Sequence, residues 1–195
     1  MNAIIYDYAT KNNNIITTAD VIRLGFSKAV LSKYVSKGLL QRVRQGIYIL
    51  NDAVHDDMYT LMLRSDNIIF SHESALFLHG FSNRTPFLHS VTIPTNTSLP
   101  RSLTNECNCF YVKPDLHKLG LCFTKTTFGN TVRCYDIERT LCDLLRSRGR
   151  MDEEIVVEAF KNYAKFTQKD IMKLSRYGEY FKVTKRIRTY MEVLL

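Results

Sequence analysis

The chain has 195 residues, 45% of them hydrophobic and 24% charged. That composition builds a buried core without staples, and it excludes a disordered tail, a collagen-like fibre and a disulfide-framed miniprotein. The net charge of +8 favours polyanionic partners. No apolar run is long enough for a transmembrane helix, and the start Met1-Asn2-Ala3-Ile4 carries no signal-peptide pattern, so a cytoplasmic protein without a membrane partner is expected.

In chain order, residues 3 to 10 are predicted to form a short helix that ends at Asn12-Asn13-Asn14. Thr17-x-x-Asp20 is a capping box and opens a second helix to about Leu24, broken by Gly25. Ser27 is a good N-cap for a third helix, which runs to Lys37 and stops at Gly38. Leu40-Gln41-Arg42-Val43-Arg44 and Ile47-Tyr48-Ile49-Leu50 read as two strands around the Gln45-Gly46 turn. The polar stretch Asn51 to Asp57 marks a boundary. After it, Ser71 caps a helix to about Leu78, and Val91-Thr92-Ile93 and Phe110-Tyr111-Val112 read as strands. Leu121 to Thr127 and Thr131 to Tyr135 form a hairpin about Gly129-Asn130. Asp136 caps a helix to about Arg146, and Asp152 another to about Ala164. Thr167-x-x-Asp170 reads as a second capping box. A basic helix closes the chain at 184–194, with Ile187, Tyr190, Met191 and Leu194 as its apolar stripe. The expected fold class is α+β, with a winged helix-turn-helix over 1–52 and a mixed α/β domain over 53–195.

Charge singles out the first of these domains. Residues 21 to 51 carry Arg23, Lys28, Lys33, Lys37, Arg42 and Arg44 and no Asp or Glu. Helix, glycine turn, helix and hairpin is the order of a winged helix-turn-helix, whose second helix enters the major groove while the wing touches the backbone. Leu31, Tyr34, Val35 and Gly38 form a stripe toward the preceding helix. The opposite face carries Lys28, Ala29, Ser32, Lys33 and Ser36, short or basic side chains that suit a groove about 12 Å wide. Strict alternation puts Arg42 and Arg44 together on the duplex face of the wing, with Val43 inward. Duplex DNA is the expected partner, because A-form RNA closes its major groove to helices.

Several segments resemble AbiEi-type antitoxins, which belong to type IV toxin–antitoxin systems of bacterial abortive infection. They are Thr17-Thr18-Ala19-Asp20 and Leu39-Leu40-Gln41-Arg42-Val43-Arg44-Gln45-Gly46-Ile47-Tyr48. Later segments resemble the family's second domain: Ser71-His72-Glu73-Ser74-Ala75-Leu76, Val91-Thr92-Ile93-Pro94, Tyr135-Asp136-Ile137-Glu138-Arg139-Thr140-Leu141-Cys142-Asp143-Leu144-Leu145 and Met151-Asp152-Glu153-Glu154-Ile155. The resemblance implies an antiviral-defence antitoxin that binds inverted repeats in its own promoter as an autorepressor. It also implies functional antagonism of a nucleotidyltransferase-class toxin without a stable complex. The DNA-binding set is then Ser27, Lys28, Ser32, Lys33, Ser36, Lys37, Arg42, Arg44 and Gln45. A non-enzymatic module that binds a protein or RNA directly is the alternative.

Other motifs weigh against catalysis. Ser71-His72-Glu73 with His79 reads as a helix start rather than acid/base machinery, since Glu73 suits the dipole and Gly80 ends the helix. Cys107-x-Cys109 with Cys122 and Cys134 offers one close pair where a structural zinc site has two, and these four read as buried thiols at strand positions. There is no Glu-x-Lys, no Gly-Ser, no phosphate-binding glycine loop and no dinucleotide fingerprint. No catalytic residue, metal or cofactor is expected. The C-terminal cations Lys182, Lys185, Arg186 and Arg188 fit a solvated face, a DNA contact or toxin antagonism.

Overall fold

The computed structural model describes residues 1–194, without the side chains of Arg101, Val193 and Leu194. The chain divides into two compact units, Met1–Leu61 and the remainder from Met62. The fold is mixed α and β, as expected.

The first unit contains α1 (Ala3–Lys11), β1 (Ile15–Thr17), α2 (Thr18–Arg23), α3 (Ala29–Ser36), β2 (Leu40–Arg44), β3 (Ile47–Leu50) and the start of α4 (Asp57–Met62). β1 adds a strand that the sequence reading did not contain, giving an antiparallel sheet in the order β1-β3-β2. Each element starts from a local cause. Asn2 caps α1 by accepting the Ile4 N–H, and the capping box forms as read, with Thr17 Oγ1 on the Asp20 N–H and Asp20 on the Thr17 N–H. α2 and α3 end in the same way. Gly25 (φ 85°) and Gly38 (φ 65°) take the left-handed conformation, and the next N–H in each case, of Phe26 and Leu39, returns to the carbonyls of Val21 and Tyr34. Ile5, Ala9, Ile16, Val21, Leu31, Tyr34, Leu40 and Tyr48 pack between the helices and one face of the sheet. Ile15, Ile47 and Ile49 pack on the other face with Val43, Ala53 and Tyr59.

The second unit is built on β4 (Ile69–Phe70), α5 (His72–Leu78), β5 (His89–Pro94), α6 (Arg101–Thr104), β6 (Cys107–Val112), α7 (Pro114–His117), β7 (Leu121–Lys125) and β8 (Thr131–Tyr135). α8 (Ile137–Arg146), α9 (Glu153–Lys165), α10 (Ile171–Tyr180) and α11 (Thr184–Leu194) follow. The five strands lie in the order β6-β5-β4-β8-β7. β5/β6 and β4/β8 run parallel, while β4/β5 and β7/β8 run antiparallel. α8 is the axis of this unit, with every residue from Ile137 to Leu145 buried, and α5, α9, α10 and α11 bring their apolar faces around it. Asp136 caps α8 as read, accepting the Arg139 N–H at 2.8 Å, and Asp152 caps α9. Asp170 is itself the cap of α10, accepting the Lys173 N–H at 2.8 Å, and is not the third residue of a box begun by Thr167. Its own N–H donates to Glu138 Oε1, which ties the start of α10 to α8. On α11, Ile187 and Met191 are buried and Tyr190 stacks on Phe160, as the stripe predicts; the Leu194 side chain lies outside the described residues.

Candidate nucleic-acid interface

α2, the turn at Gly25 and α3 form a helix-turn-helix, and both helices are tied to α1. The Tyr34 hydroxyl accepts the Asn2 N–H at 2.9 Å and ties α3 to the start of α1. Tyr8 donates to Asp20 Oδ1 at 2.8 Å, and Arg23 pairs with the same oxygen at 2.6 Å, which ties α2 to α1. Partial burial pushes the Asp20 carboxyl up, but the hydroxyl and N–H of Thr17, Tyr8 and Arg23 outweigh it and hold the group below its ordinary value. The Asp20 carboxylate is therefore committed to the frame of the motif.

With its apolar side on this frame, α3 turns Lys28, Ser32, Lys33, Ser36 and Lys37 to solvent, and all five are exposed, as are Ser27, Arg42 and Gln45. Some details differ from the sequence reading. The helix begins at Ala29, and Ser27 serves the preceding turn, its Oγ accepting the Ala29 N–H at a long 3.3 Å. Ser36 donates its hydroxyl to the Lys33 carbonyl at 3.0 Å. The buried stripe is Leu31 and Tyr34; Val35 stays 36% exposed, because the sheet and α1 cover only the side of α3 that those two residues share.

The largest correction concerns the wing. β2 pairs with β3 through Leu40/Leu50, Gln41/Ile49 and Arg42/Tyr48, and then shifts register so that Arg44 lies opposite Ile47. Val43 is the extra residue of a β-bulge, which breaks the alternation of faces. Arg42 therefore lies opposite Tyr48, on the helix side of the sheet, whereas Arg44 lies opposite Ile47, on the other side. There its guanidinium meets α4, with Nη2 3.1 Å from Asp57 Oδ1 and Nε donating to Thr60 Oγ1 at 3.3 Å; 9% of the side chain is exposed. The two arginines do not share a duplex face. The exposed cations of the motif are Lys28, Lys33 and Lys37 on α3 and at its ends, Arg42 on the wing, and Arg23 on α2, which is paired with Asp20.

The second unit treats its histidine motif structurally. The Ser71 hydroxyl does not cap α5; it bonds His72 Nδ1 at 2.9 Å and accepts from Thr92 Oγ1 at 2.8 Å. His72 is fully buried at φ 49°, stacks on Phe110 at 3.6 Å and meets Ser147 Oγ through Nε2 at 3.0 Å. Burial lowers its pKa to about 4, with Arg146, Arg139 and Arg150 acting the same way against Asp143. The unfolded chain takes up this proton below about pH 6.5 and the folded chain only below about 4, so stability is full above 6.5 and drains away between those values. Between pH 7 and pH 5 the wild type should lose about 2 kcal/mol more than His72→Asn, a residue that tolerates the left-handed backbone. Urea midpoints at the two pH values read this out; equal losses in both proteins would remove His72 from the balance.

Among the described residues no group of three or more His, Cys, Asp or Glu side chains could hold a metal ion. Cys107, Cys109, Cys122 and Cys134 sit on strands, whereas Cys142 is buried on α8. No helix among the described residues is long and apolar enough to cross a membrane.

The element order and the sheet β1-β3-β2 define the first unit as a winged helix-turn-helix module. Residues 4–51 match the family described as transcriptional regulator, AbiEi antitoxin, which supports the resemblance read from the sequence and an antitoxin and regulator role. Among solved structures the chain is similar to the Rv2827c protein from Mycobacterium tuberculosis, with a TM-score of 0.68 and 12% identity, over 97% of this chain and 79% of that one. At that identity the likeness is one of fold. No curated protein matches the chain in sequence.

Proposed function

We propose that the chain is a non-enzymatic cytoplasmic antitoxin that represses its own operon by binding inverted repeats in the promoter. The single observation behind this reading is the exposed, acid-free face of α3 with Arg42 beside it. In a duplex groove these lysines neutralise phosphates, Ser32 meets base edges as a hydroxyl that donates or accepts, and Ser36, whose hydrogen is on the Lys33 carbonyl, accepts. The site set is then Ser27, Lys28, Ser32, Lys33, Ser36, Lys37, Arg42 and Gln45, while Arg44 braces the wing on α4.

The second domain, from about residue 53, opposes a toxin of the nucleotidyltransferase class without a stable complex, within a type IV abortive-infection system. The resemblance of the Tyr135-to-Leu145 segment supports this part. A gel shift with the upstream inverted repeat, a scrambled duplex and a duplex RNA tests the first part, together with a promoter reporter and a survival assay. The repeat should bind at least about a thousandfold tighter than the scrambled duplex. Lys28→Ala/Lys33→Ala should derepress the reporter and still rescue toxin-expressing cells. Equal affinity for repeat and scramble, or preference for the RNA, would overturn the repressor reading.

A further inference from the structure

Cys122 on β7 and Cys134 on β8 are direct cross-strand partners. The ladder is pinned at both ends by hydrogen-bonded pairs, Asp136 N–H to the Gly120 carbonyl and Thr126 N–H to the Asn130 carbonyl, each 2.8 Å. Hydrogen-bonded pairs alternate along an antiparallel ladder, so Cys122/Cys134 is one of them, with Cα atoms about 5.5 Å apart. That lies inside the range of about 4.4–6.8 Å that a disulfide spans.

Both sulfurs face the ring of His79, at the C-terminus of α5: Nε2 lies 4.0 Å from Cys122 Sγ and 3.7 Å from Cys134 Sγ. The same nitrogen donates its hydrogen to the Tyr135 carbonyl at 2.7 Å, which fixes the N–H edge of the ring against the two sulfurs. Cys134 is fully buried. Cys122 is half-buried and lines an open pocket of about 540 Å³ together with His79, Phe123 and Lys173. One thiol thus meets solvent, its partner stands behind it, and an imidazole edge stands beside both.

We propose that Cys122 and Cys134 form a peroxide-reactive dithiol site, with Cys122 as the attacking thiol and Cys134 as the resolving one. The Cys122 thiolate attacks one peroxide oxygen; an S–O bond forms as the O–O bond breaks, and hydroxide leaves with the electron pair. The Cys134 sulfur then attacks the sulfenic acid; the S–S bond forms, the S–O bond breaks, and the Cys134 proton leaves with the hydroxyl as water. Two thiols give up two electrons and one peroxide takes them. The local charges favour this division: a hydrogen bond from the Cys134 thiol, aided by His79, draws the Cys122 thiol down against the opposing effect of burial, while burial pushes Cys134 up. The product clips the edge strand β7 to β8.

The test uses the reduced full-length protein and hydrogen peroxide, followed by alkylation of the remaining thiols, digestion and mass spectrometry. The expected result is an intact mass lower by two hydrogens, a linked Cys122–Cys134 peptide that dithiothreitol releases, and full alkylation of Cys107, Cys109 and Cys142. In Cys134→Ser the sulfenic acid should persist on Cys122, trapped by dimedone, and proceed to the sulfinic acid. In Cys122→Ser the remaining thiols should react at least about tenfold more slowly than Cys122 does in the wild type. Oxygen adducts on the wild type without the linked peptide, a different linked pair, or Cys109 oxidised ahead of Cys122 would overturn the proposal.

Discussion

Replacing Lys28, Lys33, Lys37 and Arg42 with alanine together should flatten the salt dependence of DNA binding. Each phosphate neutralised contributes about −0.9 to the slope of log affinity against log salt. Four such contacts give a slope difference of about 3.6 and a wild-type affinity that falls about a hundredfold more than the variant's between 50 and 200 mM salt. All four residues are exposed, so the substitutions leave the buried frame of Leu31, Tyr34, Leu40 and Tyr48 intact, and circular dichroism should be unchanged. Arg44→Ala is the informative contrast. Its guanidinium is engaged with Asp57 and Thr60, so it should leave the slope as it is and instead loosen the wing from α4. Binding isotherms at four salt concentrations decide. An unchanged slope in the quadruple variant would remove α3 from the interface, and a drop of about one unit in Arg44→Ala would put that arginine back on the duplex.

Arg139 should be the most destabilising single position in the second unit. Its side chain is wholly buried, with Nε donating to Asp143 Oδ2 at 3.0 Å and Nη1 to the carbonyls of Leu116 and Leu119 at 2.8 and 2.7 Å. The guanidinium carbon stands over the rings of Tyr135 and Phe181, 4.0 and 4.2 Å from their centroids. Gly120 makes room for it: at φ 77°, a Cβ there would stand 2.6 Å from Arg139 Cβ. Arg139→Leu leaves Asp143 buried with Arg146 alone, at 3.1 Å, and takes the guanidinium from the Leu119 carbonyl, while the Leu116 carbonyl keeps the Leu119 N–H at 3.3 Å. Breaking a buried pair in this way costs about 3–5 kcal/mol, a large part of the stability of an ordinary domain. Arg139→Lys should recover little, because an ammonium neither forks to these acceptors nor stacks on rings. Arg139→Leu/Asp143→Leu should be more stable than Arg139→Leu alone, since no carboxylate is then abandoned. Urea denaturation at pH 7 reads all three; a midpoint for Arg139→Leu within about 1 kcal/mol of wild type would show that the pair is not the keystone of the unit.

The site and the fold were not equally legible. The helix-turn-helix was readable because each of its signals is local: a capping box, two glycines after helix ends and an acid-free run. The start of α3 moved by one residue because Ser27 serves the turn before it. Arg44 was misplaced because alternation assumes an uninterrupted ladder, and a bulge at Val43 has no mark in the five residues of β2. Two signals for the buried network did stand in the sequence. Glu138, Arg139 and Asp143 lie among apolar residues on a single helix, and Arg139 and Asp143 stand at i,i+4 spacing, where side chains meet.

By itself, the sequence determined the three helices and the hairpin of the first unit, the helix caps at Thr17, Asp136 and Asp152, and the face of α3 that carries charge, since these follow from hydrogen bonds and periodicities a few residues long. Only the tertiary structure decided that Arg44 turns away from Arg42, that Arg139 is buried against two rings, and that Cys122, Cys134 and His79 face one another. Each of those outcomes depends on which distant surfaces pack together. Burial then gives an arginine, a thiol or a histidine a role that its neighbours in the chain do not set.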